Sequence, residues 1–154
     1  MIARPATPDD ADELVRLRAV LLTSMNPPIW DDAWRTPSHE ALTTRLSSPT
    51  LAAFVVDRPD GTGLAACAVG TIEHRLGAPG DPEGRSGYVF SVATDPDMRR
   101  RGFSRQCMTA LLEWFRAQGV RKIDLRASAE AEPLYRSLGF TRTPDPAMRL
   151  RLNP

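Results

Sequence analysis

Apolar residues recur along this chain at two periods. Leu14, Leu17, Leu21 and Leu22 step by three and four, and so do Phe103, Cys107, Ala110, Leu111, Trp114 and Phe115. Both runs predict amphipathic helices. Thr7, Pro8, Asp9 and Asp10 provide a cap, a first-turn proline and acidic charge for the first helix, which ends before Asn26-Pro27-Pro28. Gly119 suits the left-handed cap that closes the long later helix. Ser38 is expected to cap another helix reaching about Leu46, and a short helix over 130–137 ends at Gly139. Strands are expected at 2–7 (an edge, since it holds Pro5), 51–57, 64–75 and 88–94. The stretch 58–63 reads as a hairpin turn, and 77–87 as a Gly/Pro-rich loop. In 122–128, Ile123, Leu125 and Ala127 alternate with Lys122, Asp124 and Arg126, and Met148, Leu150 and Leu152 alternate in a final strand.

The order is therefore β-α-α-β-β-β-α-β-α-β. The unit 88–128 is a strand–helix–strand crossover, which demands two parallel strands with the helix on one face. Fold class α/β (α+β) with a mixed sheet follows, and 154 residues suit one domain over 1–154.

Composition narrows the function. Hydrophobic content of 42% and charged content of 25% are those of a soluble globular protein. No apolar run approaches the roughly 20 residues that span a membrane. The acidic N-terminus lacks the features of a signal peptide, so the expected compartment is the cytoplasm. Cys67 and Cys107 read as packing residues, and with only His39 and His74 besides, no metal site is expected. A net charge of +1 argues against a nucleic-acid partner.

The chemistry gathers between the strand at 88–94 and the helix that follows. Arg99, Arg100, Arg101 and Arg105 crowd a helix start, where cations oppose the macrodipole unless something negative lies among them. First-turn N–H groups lack intrahelical partners and also attract anions. Gly102 has no side chain to hold a phosphate away from the backbone. The turn ends neither in the Gly-Lys-Ser/Thr of a P-loop nor as G-x-G-x-x-G. Alone it reads either as a pyrophosphate site or as a solvated run of arginine.

Arg99-Arg-Arg-Gly102-Phe103-Ser104 resembles motif A of the GNAT superfamily of N-acetyltransferases, with Ser104 where Gly or Ala is usual. Val92-Ala93-Thr94-Asp95-Pro96 looks like the family's fourth strand, and Ala131-Glu-Pro-Leu134-Tyr135 through Gly139-Phe140 resembles motif B. The opening residues 2–14 are also similar, so the likeness covers nearly the whole chain.

The resemblance implies a GNAT-like, mostly antiparallel central sheet with a parallel strand–helix–strand unit that binds acetyl-CoA. Val92, Ala93 and Thr94 would pair with the pantetheine arm, and a main-chain N–H there would stabilise the oxyanion. Arg99, Arg100, Arg101, Gly102, Phe103, Ser104 and Arg105 would hold the pyrophosphate. Ser128 stands where many relatives carry a pantetheine-binding asparagine. Tyr135 matches the tyrosine that often protonates the departing thiolate. For the general base, alternation turns the neighbours Glu73 and His74 to opposite faces, so at most one faces the cofactor, and Glu73 ranks ahead of His74 and water. Acceptor specificity is expected from Met25, Trp30 and Trp34 and from loop 77–87. The expected activity is acetyl transfer to the primary amine of a small molecule, in a homodimer such as similar proteins often form. A protein or peptide acceptor, or a non-catalytic acyl-CoA-binding module, stays open beside it.

Overall fold

The computed structural model describes residues 2–27 and 29–154, so Pro28 of the expected helix breaker lies outside the described residues. Five strands, β1 (Arg4–Pro5), β2 (Leu51–Asp57), β3 (Leu64–His74), β4 (Arg85–Thr94) and β5 (Lys122–Leu125), form one sheet in sequence order. The first four pair antiparallel, and β4 and β5 run parallel. Four helices cover it: α1 (Ala11–Ser24), α2 (Arg35–Arg45), α3 (Phe103–Ala117) and α4 (Glu132–Ser137).

The sheet is buried on both faces, which explains why β3 lacks the alternation of a half-exposed strand. Against one face α1 and α2 pack Leu14, Leu17, Leu21 and Leu42 on Ala53, Val55, Cys67 and Val69. On the other, Phe103, Cys107, Met108, Leu111 and Phe115 of α3 meet Val56, Ala66, Ala68 and Val89. That second face is made of small residues so that the helix can come close. A Cβ at Gly70 or Gly87 would lie 2.6 or 2.7 Å from the Phe115 ring.

Several element bounds differ from expectation. The second helix begins at Arg35, with Pro37 in its first turn where no N–H is required. The strand β4 starts at Arg85 and shortens the loop before it. The fifth strand stops at Leu125 because its partner turns away after Val89. The final strand expected at 148–152 is corrected: among the described residues the segment has no ladder partner, and Met148, Leu150 and Leu152 lie exposed.

Candidate active site

The parallel pair β4/β5 is bonded only from Ser86 opposite Lys122 to Val89 opposite Leu125. Beyond it Phe90–Thr94 still pairs with β3 but has a free edge on the other side. Free main-chain N–H and C=O groups on a sheet edge invite an extended ligand to complete the ladder.

A bulge marks the point of parting. Val69 faces Phe90 and Cys67 faces Ala93, so β4 has one residue more than β3. Ser91 absorbs it with φ 50°, a conformation costly for a non-glycine residue. Two contacts hold it there: Arg18 of α1 donates to its hydroxyl at 2.7 Å, and the Cys67 thiol donates to its carbonyl at 3.2 Å. Burial pushes that thiol up to about 12, so it stays a neutral donor. Both cysteines are buried and unbridged.

At the end of β4 the chain turns on Asp95, which is buried. Its carboxylate accepts from Arg16 at 2.8 and 2.9 Å and from Arg58 at 2.9 Å. Arg16 also grips Glu13 at 2.6 Å, and that bond holds the Glu13 carboxyl below its ordinary range. Arg58 likewise holds Asp97 low. One carboxylate thus ties the turn to α1 and to the β2–β3 hairpin. The sequence reading missed Asp95 as an anchor, because its partners are 79 and 37 residues away.

Past a short 3-10 turn at Pro96–Met98, Arg100 and Gly102 both take left-handed φ, 64° and 79°, and α3 begins at Phe103. The glycine has no atom within 4 Å of a would-be Cβ, so the backbone angle and not crowding calls for it. Arg99, Arg100 and Arg101 have no ion-pair partner among the described residues, whereas Arg105 donates to the Ser137 hydroxyl at 2.9 Å. The Ser104 hydroxyl is hydrogen-bonded to Thr94, pinning the helix start to the strand. That bond gives the serine a structural use in a place where Gly or Ala was expected.

A cleft of about 460 Å³ opens between these parts. Val92, Ala93 and Thr94 line it, with Arg99, Arg100 and Gly102 to Arg105 at one end and Ser128, Leu134 and Tyr135 on the far wall. Arg101 is not among the lining residues. Ser128 caps the approach to α4, its hydroxyl accepting from the Ala131 N–H at 3.2 Å. Tyr135 is buried, packed edge-on to Phe140, and burial raises its phenol above the ordinary value, which keeps the proton on it near neutrality. Glu130, also on the lining, was not anticipated.

Two expectations are corrected. Glu73 sits opposite Ser86, exposed and bonded to Arg75 at 3.1 Å. The cleft end of the strand is at Ala66, opposite Thr94, roughly 23 Å away at about 3.3 Å per residue. His74 shares that distant end, so neither reaches the cleft. Loop 77–87 is remote for the same reason: it packs by the C-terminus of α3, where Arg85 meets the Gln118 carbonyl. The α1–α2 loop is differently placed. Val20, Leu21 and Ser24 of α1 line the cleft, and Trp30 and Trp34 follow in edge contact at 6.1 Å.

Together, the parted parallel strands, the free strand edge and the arginine-rich helix start have the form of a site for a long ligand ending in phosphate. Residues 19–140 match the model of the acetyltransferase (GNAT) family, and the chain belongs to that family. Enzymes of this family take acetyl-CoA as cosubstrate. The fold is shared with a protein described as a predicted acetyltransferase, with acetyl-CoA, from Clostridium acetobutylicum. That likeness has a TM-score of 0.82 at 23% identity over 98% of this chain and 94% of that one. A GCN5-related N-acetyltransferase from Ralstonia eutropha JMP134 gives 0.81 at 22% identity over 96% and 97%. The ribosomal protein bS18-alanine N-acetyltransferase of Salmonella typhimurium is 42% identical over 55 residues, which make up 34% of this chain and 37% of that protein.

Proposed function

We propose that this chain is a cytoplasmic, acetyl-CoA-dependent N-acetyltransferase that acts on the primary amine of a small molecule by direct attack on the thioester. The observation that carries this reading is the cleft at the parted strands, with arginines at one end and a protonated tyrosine on its wall. The pantetheine arm adds to the edge of Val92–Thr94, while Arg99, Arg100, Arg105 and the first N–H groups of α3 take the pyrophosphate. The amine nitrogen attacks the acetyl carbonyl carbon, and a main-chain N–H beside the bulge receives the developing oxyanion. Donors of this kind contribute about 2.7–4 kcal/mol to lowering a barrier. As the C–S bond breaks, the Tyr135 hydroxyl gives its proton to the thiolate.

With Glu73 and His74 away from the cleft, water is left to take the proton from the acceptor's ammonium.

Release of free thiol from acetyl-CoA, followed over small amines and short peptides, tests the reaction itself. A peptide N-terminal amine is the second reading, favoured by the likeness to the alanine N-acetyltransferase. Turnover with peptides alone would establish it. Tyr135→Phe should lower kcat by about 100-fold and leave acetyl-CoA affinity nearly unchanged. No release with any amine, despite tight binding of acetyl-CoA, would instead mark the chain as a binding module.

A further inference from the structure

Between α1, α2 and the sheet lies a second cavity, of about 180 Å³. It begins where the cleft leaves off, on two of its walls. On α1, Arg18 lines the cavity, one turn before Leu21, which lines the cleft. On β4, Phe90 and Ser91 line the cavity, and the next residue, Val92, lines the cleft. A molecule seated here lies against the bulge, beside the strand edge proposed to carry the thioester. Sites for drug-sized ligands start at about 300 Å³, so this one suits a body the size of an amino acid.

The walls combine apolar surface with two cations. Leu14, Leu42, Val69 and Phe90 supply the apolar part, and Arg18 and Arg45 the charge. No carboxylate is among the lining residues. The acids in the first turn of α1 are engaged elsewhere, Asp12 with His39 at 2.9 Å and Glu13 with Arg16 at 2.6 Å. Arg18 is half-buried, and among the described residues it makes one bond, to the Ser91 hydroxyl. An arginine has five N–H donors in a fork that matches carboxylate or phosphate oxygens. Most of those donors are idle here. A half-buried cation without a counter-charge costs free energy, which an anion beside it recovers. Arg45 stands exposed in the last turn of α2 and has no ion-pair partner among the described residues.

We propose that this cavity receives the acceptor, and that the acceptor is a small amine with an anionic group on an apolar body. The inference rests on the acetyl-transfer reading and narrows its substrate. The apolar body packs on Leu42 and Phe90, the anion takes the free donors of Arg18 and Arg45, and the amine points along β4 toward Val92. Arg18 is then shared between the acceptor's anion and the Ser91 hydroxyl. The side chain that holds the bulge in shape thus also places the substrate beside it.

Calorimetric titration in the presence of coenzyme A tests the site without relying on turnover. The probes are apolar amino acids with the amine α or ω to the carboxylate, together with their amides and their phosphonate analogues. At least one acid or phosphonate should bind at least tenfold more tightly than the matching amide, and the tighter of the two identifies the anion. Equal binding of all three, or binding of none, would overturn the proposal. Arg45→Gln and, separately, Arg18→Gln should each shrink that preference at least fivefold. Arg45 is exposed and bonded to nothing among the described residues, so its replacement leaves the core intact. A preference unchanged in both variants would also overturn the proposal. Thiol release from acetyl-CoA then separates this inference from the reading beneath it. The preferred acid should be turned over with a kcat/KM at least tenfold above that of its amide. Arginine-dependent binding without thiol release would uphold the anion site and overturn the acetyl-transfer reading instead.

Discussion

The two halves of β4 are built on opposite plans. From Ser86 to Val89 both edges are bonded, and the face is closed by Phe115 seated over Gly70 and Gly87. From Phe90 to Thr94 one edge is free, Ser91 is held in left-handed φ, and the strand runs out onto the buried Asp95 carboxylate between two arginines. The first half holds the fold together. The second has open hydrogen-bonding groups because ladder pairing stops there, and every feature near it serves to keep that opening in one shape.

The largest effect is expected at the end of the open half. Asp95→Ala removes the shared acceptor of Arg16 and Arg58 and leaves two guanidiniums without it. A loss of about 3 kcal/mol is expected, with a parallel fall in acetyl-CoA affinity as the turn comes free. Urea denaturation and calorimetric titration measure the two, and unchanged affinity would separate the anchor from the site. Gly87→Ala strikes the closed half. Its Cβ would lie 2.7 Å from Phe115 in a fully buried core, so about 2 kcal/mol of stability should be lost with acetyl-CoA affinity barely altered. Should the affinity fall as far as in Asp95→Ala, the two halves are not separable. Arg100→Ala is the mildest change, because the side chain is exposed and makes no bond within the described chain. It should leave stability unchanged and cost about 1.5 kcal/mol of acetyl-CoA binding, roughly tenfold, with a smaller loss for analogues lacking phosphate.

Much of the closed half was legible from the residues. The 3.6-residue stripe of α3, the β2–β3 hairpin and the crossover to a parallel strand follow from periodicity and turn chemistry, which act over a few neighbours. The arginine-lined end of the cleft, where phosphate is proposed to bind, was legible for the same reason: the arginines and Gly102 are near neighbours in sequence. The base was not. Glu73 looked suitable because alternation tells which face a strand residue takes and says nothing of which end of the strand the cleft occupies. The last strand was misplaced in a related way, since 148–152 has the pattern of a strand and a pattern cannot name its partner.

The chain's own order of residues determined a family, a crossover, an arginine-rich helix start and a tyrosine in the segment that follows it. The parting of β4 from β5 was decided only in three dimensions, by a bulge whose extra residue is absorbed at Ser91 and held from α1 by Arg18. So was the use of Asp95, whose charge is satisfied by two arginines far along the chain. The physical reason is the same for both. Turn and helix preferences are settled within a few residues, whereas an open strand edge or a buried carboxylate is held by partners brought near only by the folded sheet.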